Sequence, residues 1–191
     1  MIINFNDYIN ENKYDNISFE TISSLVENGM INLVKDYLEN GGDINLCDPI
    51  SNKTLLMYSL RAETPDIFDL LLSYNPDLTI KNTYNGETIL ILIIEDYIPL
   101  YQKGYKNLIR KILDKDISVL EIEDSTGETP IEFAAYHSSY ALFELLKFNP
   151  DIRNCSFFDN ISTGVIERIN ILFPDIYKKC IKIRKSKKFN L

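Results

Sequence analysis

Three stretches share one pattern: Asn52-Lys53-Thr54-Leu55-Leu56, Asn85-Gly86-Glu87-Thr88-Ile89-Leu90 and Thr126-Gly127-Glu128-Thr129-Pro130-Ile131. Each places a threonine at the mouth of an apolar stretch. Thr54 and Thr88 are 34 residues apart, while Thr88 and Thr129 are 41 apart, one period plus an insertion. A second pattern accompanies the first, an amphipathic run closed by a turn. It occurs at Leu33 to Asn45, Ile67 to Leu78 and Leu142 to Ile152, and Asp43 and Asp77 are again 34 apart. Within each run apolar residues recur at spacings of three and four, as in Ile67, Leu70 and Leu71, which is the signature of a helix with one face to bury. A unit this thin cannot bury that face alone, so neighbouring units must stack on it. A threonine at a helix start satisfies orphan N–H groups, and Pro130 loses nothing there by lacking a donor.

The sequence resembles the ankyrin-repeat family from about Thr21 to Ile152. Thr129-Pro130 matches the family's opening signature best; Leu55 and Ile89 replace the proline, and Met57, Ile91 and Glu132 stand where the family often has His. The resemblance implies an all-α ankyrin-repeat solenoid of about four helix-turn-helix repeats with degenerate terminal caps. The expected organisation is one array over 1–176, with an N-terminal cap at 1–20, repeats at 21–153 and a C-terminal cap helix within 154–176. A basic tail follows at 177–191. The repeats are placed near 48–81, 82–123 and 124–153, preceded by one that keeps its second half best, with Gly29 between its helices.

The run Ile89 to Ile94 could be a buried strand by composition, since short apolar runs are ambiguous. Its place after Gly86-Glu87-Thr88 predicts a helix buried on both sides. Between Ile94 and Gly104 this repeat holds seven residues more than its predecessor. Insertions in stacked repeats go to loops, which often carry function. Tyr97, Ile98, Leu100 and Tyr101 there either pack on the next helix or meet a partner.

Composition is that of a globular chain: 45% hydrophobic and 25% charged residues. The net charge is -8, from 20 basic and 28 acidic residues, which argues against a general affinity for nucleic acid or anionic lipid and favours a basic partner. The charge is polarised. From Tyr177 to Leu191 there are seven basic residues and no acid, so residues 1–176 carry -15. Such a run can bind nucleic acid or anionic lipid, act as a nuclear-localisation signal, or simply complement the acidic array and a helix dipole.

Three cysteines, Cys47, Cys155 and Cys180, with no Cys-x-x-Cys pair, suggest neither a disulfide framework nor a zinc knot. The polar start, Met1 to Ile9, does not read as a secretory signal, so a cytoplasmic protein is expected. No apolar run approaches the length of about 18 to 20 residues that spans a bilayer. Catalytic patterns are lacking: one histidine, His137, no Gly-x-Ser-x-Gly elbow and no phosphate loop. The reading is a non-enzyme without cofactor or metal.

The resemblance makes finger tips and the exposed ends of first helices the binding face. The matching positions are Ile50, Ser51, Lys53, Arg61 and Ala62; Tyr84, Asn85, Glu87, Glu95 and Asp96; and Ser125, Thr126, Glu128, Tyr136 and His137. Of these, Ile50, Ser51, Lys53, Arg61, Tyr84, Asn85, Glu87, Glu95, Asp96, Tyr136 and His137 are the candidate protein-binding residues. The expected function is a monomeric protein-protein interaction module whose concave acidic face binds a basic protein. It could serve as an inhibitor or an immunity or antitoxin-like factor. The alternatives are a viral or bacterial host-interaction factor, or a nucleic-acid or membrane adaptor acting through the basic tail.

Overall fold

The computed structural model describes residues 17–105, 107–148, 155–159 and 161–188. Its regular elements are helices; among the described residues an isolated bridge between Cys47 and Thr54 is the one β feature. The chain divides into two compact units, Met1–Thr83 and Tyr84–Leu191. Most of the N-terminal cap expected at 1–20 and the closing turn expected at 149–152 lie outside the described residues.

The first unit holds two helix pairs. Helix α1 (Phe19–Glu27) starts where Ser18 Oγ accepts the Thr21 N–H at 3.2 Å, and it buries Ile22 and Val26, four residues apart. Helix α2 (Ile31–Glu39) buries Val34, Tyr37 and Leu38. In the next pair, α3 (Leu55–Ser59) opens on Thr54, whose Oγ1 accepts the Met57 N–H at 3.2 Å. Helix α4 (Asp66–Ser73) buries Ile67, Phe68, Leu71 and Leu72. First helix packs on first helix, α1 on α3, and second on second, α2 on α4. Each pair thus supplies the wall its neighbour lacks.

The second unit repeats this arrangement. The isoleucine-rich run is helix α5 (Ile89–Glu95), with Ile89, Leu90, Ile91, Ile93 and Ile94 all buried, so the helix reading holds over the strand. The insertion folds into a short extra helix, α6 (Tyr97–Gln102), which buries Leu100 and leaves Ile98 and Tyr101 exposed. After it come α7 (Leu108–Lys115), α8 (Pro130–His137) and α9 (Ser139–Leu146). Again α5 packs on α8 and α7 on α9. Leu71 in α4 and Leu145 in α9 are fully buried, as the repeat register requires.

One sequence expectation changes here, the reading of the cysteines. The C-terminal segment forms a helix pair, α10 (Thr163–Leu172) and α11 (Pro174–Lys188), so the basic run lies within a helix. Ile176 and Cys180, one turn apart, give α11 a buried side that seats it on the unit. In addition, Cys155 and Cys180 are joined by a disulfide, with Cα atoms 5.2 Å apart. The cysteine reading failed because the two lie 25 residues apart with no motif between them, and only the packing of α11 brings them together. Among the described residues no helix is long and apolar enough to cross a membrane.

Candidate protein-binding surface

The fingers between helix pairs are built by aspartates. Asp48 Oδ1 accepts the N–H groups of Ile50 and Ser51 at 2.8 and 2.9 Å, and Oδ2 accepts the Tyr58 hydroxyl at 2.8 Å. The Ser51 N–H, then the Tyr58 hydroxyl, then the Ile50 N–H hold the Asp48 carboxyl below the usual carboxylate value. Burial first, and then the Asp48 carboxylate, push the Tyr58 phenol up. Residues further along zip onto this finger: Thr83 N–H donates to the Ser51 carbonyl at 2.9 Å, and Asn52 Nδ2 donates to the Lys81 carbonyl at 2.8 Å.

In the second unit Asp124 plays the same part. Its Oδ1 accepts from the Thr126 N–H and hydroxyl, both at 2.8 Å, and from the Glu128 N–H at 3.0 Å. Burial raises the Asp124 pKa, but the bonds from Glu128, Thr126 and Gly127 outweigh it and the net shift is downward. Helix α8 then opens with Glu132 reaching back, its Oε2 accepting the Thr129 N–H at 3.1 Å and the Thr129 hydroxyl at 2.8 Å.

The structure spreads the predicted residues over tips and helix ends. In the first unit Ile50 is 80% exposed at the finger tip, Lys53 is half-buried, and Arg61 is exposed with its guanidinium 3.3 Å from Glu27 and 5.2 Å from the Tyr58 ring centre. Ser51 and Ala62 are buried. In the second unit Tyr84 and Asn85 are exposed at the tip, whereas Glu87 is buried. Glu95 and Asp96 are exposed at the far end of α5, and Tyr136 and His137 at the end of α8. His137 stacks on Phe133 with ring centres 4.1 Å apart and meets the Tyr136 ring edge-on. The exposed candidates of this unit thus form two groups, one at each end of the first helices.

Several residues escaped the sequence reading. Glu20, Ser24 and Glu27 on α1, Asp48 on the finger, and Phe19 and Tyr58 line, together with the expected Ile50, a cleft of about 570 Å³ in the first unit. Phe19 and Tyr58 meet edge-on at 5.2 Å. The available signal was the spacing of Glu20, Ser24 and Glu27, which places them on one face of a helix. Tyr140, 64% exposed on second helix α9, lies outside the candidate set. Among the described residues no group of three or more His, Cys, Asp or Glu side chains converges as a metal site would.

Comparison with known families matches residues 22–101 to the family described as "Ankyrin repeats (3 copies)". A comparison with curated proteins finds no match. The matched segment takes in most of α1, all of α2 to α5 and most of α6, with the finger at 48–53 and the 34-residue spacing already described. Repeats of this family are protein-protein interaction modules, and residues 22–101 of the chain are ankyrin repeats that form such a module.

Proposed function

We propose that the chain is a non-catalytic binding module that takes a basic partner protein on its finger tips, first-helix ends and acidic cleft. The observation that carries this reading is the set of large apolar side chains standing in water at those places. Ile50 is 80%, Tyr84 66% and Tyr136 70% exposed, each set on a short, hydrogen-bonded frame. Aromatic anchors on a fixed frame lose little side-chain freedom on binding, and tyrosine and arginine dominate interface energetics.

Charge supplies the second support. The first unit has five basic residues against thirteen acidic ones, and Glu20, Glu27 and Asp48 line its cleft around Tyr58. Arg61, set over the Tyr58 ring and against Glu27, shows the chemistry a partner's guanidinium would repeat there. Glu95 and Asp96 extend the acidic character in the second unit. Within this reading a one-domain inhibitor that masks a basic enzyme fits the charge, and a host-interaction factor would use the same surface. The proposed array runs over 21–153.

The test is kinetic. With the partner in hand, association to the parent chain should slow steeply as salt rises past physiological strength, where exposed charges are screened beyond about 8 to 10 Å. Tyr84→Ala and Tyr136→Ala should speed dissociation, and Glu95→Lys should slow association. Unchanged kinetics in all three, with folding intact, would sink the reading.

A further inference from the structure

Helix α11 combines two incompatible-looking sides. It carries seven basic residues and one acid over Pro174–Lys188. Its inner side is anchored by buried Ile176, by Cys180 disulfide-bonded to Cys155, and by Arg184, whose guanidinium lies 2.6 Å from the Asp159 carboxylate and 6.0 Å from the Phe158 ring centre. On the outer side Lys178, Lys182 and Lys185 are exposed. At 100° per residue these three share one stripe, displaced along the axis by about 6 and 4.5 Å. Among the described residues no ion pair engages any of the three. A helix that only balanced the acidic repeats would point its lysines at carboxylates, and this stripe does not.

We infer that the Lys178–Lys182–Lys185 face of α11 binds the phosphate backbone of a nucleic acid. Two features favour this over an anionic membrane. First, Ile176 and Cys180 of α11 are buried and Ile181 and Ile183 half-buried, so its exposed side is a lysine stripe without the fully exposed apolar side chains that interfacial helices need for stable membrane binding. Second, the rest of the second unit, residues 84–173, has eight basic residues against fourteen acidic ones. A broad anionic plane would meet those carboxylates, whereas a nucleic-acid strand is narrow enough to follow one helix, and screening over about 8 Å confines the repulsion. Lysines without base-reading partners give backbone contact and no sequence preference. The surface shares no residue with the finger tips, so it stands or falls independently of the protein-binding reading.

The experiment is fluorescence anisotropy of labelled single-stranded and duplex oligonucleotides with the full chain, from about 50 to 200 mM salt. Three phosphate contacts predict a log-log salt slope of at least about -2.7 on duplex and about -2.1 on single strands. That corresponds to roughly a 40-fold loss on duplex across the range. The triple variant Lys178→Gln, Lys182→Gln, Lys185→Gln should flatten the duplex slope by about 2.7, while Lys35→Gln, Lys81→Gln, Lys103→Gln, the same change in net charge, should leave it alone. Vesicles of phosphatidylserine and phosphatidylcholine should not retain the chain at the salt where oligonucleotides bind. An absence of oligonucleotide binding at the lowest salt, an unchanged slope in the α11 variant, or retention by vesicles in place of oligonucleotides would overturn the inference. Circular dichroism of both variants confirms folding, and the parent slope is decisive even if the α11 variant unfolds.

Discussion

Gly86 and Ser125 hold two neighbouring finger tips in register. A Cβ added at Gly86 would meet the Ser125 backbone nitrogen at 2.8 Å, and that same N–H donates to the Asn85 carbonyl at 2.8 Å. The glycine therefore answers two demands at once, a left-handed φ of 67° and a close approach of backbone to backbone.

Gly127, the matching residue of the next finger, separates the two demands. Its φ is 83°, but a Cβ there would meet nothing within 4 Å. Gly127→Ala should cost about 1 to 2 kcal/mol, the ordinary cost of a left-handed alanine. Gly86→Ala should cost clearly more, because the finger contact must also open. Denaturant unfolding of both variants checks the order, and equal costs would mean that the fingers do not touch as described.

Threonines at equivalent helix starts should also behave differently. Thr54 Oγ1 caps the Met57 N–H, so Thr54→Val should cost about 0.5 to 2 kcal/mol. Thr88 Oγ1 is buried without a hydrogen-bond partner among the described residues. A buried hydroxyl left unsatisfied is a standing desolvation cost, so Thr88→Val should be neutral or stabilising. Thermal melts of the two variants decide the matter; a large loss in Thr88→Val would reveal a partner for that hydroxyl.

The repeat period and the helix starts were legible because Thr54, Thr88 and Thr129 open helices whatever their surroundings, and because Leu71 and Leu145 follow a helical spacing toward a wall that stacking must supply. The surface was legible only by register. Ser51 and Glu87 fall at tip positions by count, yet they turn inward, and Ser51 lends its backbone to the neighbouring segment through Thr83. The aspartates that shape the fingers, Asp48 and Asp124, look like any surface acid in the sequence, since their role rests on backbone N–H groups folding back over them. The Cys155–Cys180 link and the acidic cleft of α1 depend on which helices pack together, which no local pattern encodes.

Acid should find those aspartates. Hydrogen bonds hold Asp48 and Asp124 below the ordinary carboxylate value. A depressed acid pKa stabilises the fold at pH values above the unfolded value of about 3.9, and this contribution is lost as pH falls through the folded value. Melting temperature should drop below about pH 4, and Asp48→Asn with Asp124→Asn should flatten that acid limb while lowering the plateau. An acid limb as steep in the double variant as in the parent would assign it to other carboxylates.

The disulfide is checkable without any partner. The bond spans 25 residues, so its removal should cost the second unit about 3.5 kcal/mol on the loop-closure account. Mass spectrometry of the unreduced, digested chain should show the Cys155–Cys180 cross-link, and Cys180→Ser should melt earlier than the parent under oxidising conditions. The two should melt alike once reductant is present. A Cys47 cross-link, or a Cys180→Ser melt equal to the oxidised parent, would contradict the arrangement.

The central claim, a basic partner held on the finger tips, first-helix ends and acidic cleft, is tested most directly by purified binding of the partner to single variants on the two sides of the repeats. The account predicts that Ile50→Asp, Tyr58→Ala and Tyr136→Ala each weaken binding by at least about tenfold, in the range of interface hot spots. Tyr140→Ala, on second helix α9, should leave it within about twofold of the parent. The reverse pattern, with Tyr140→Ala crippling the complex and the first-helix and finger variants binding normally, would place the partner on the second-helix side and contradict the account.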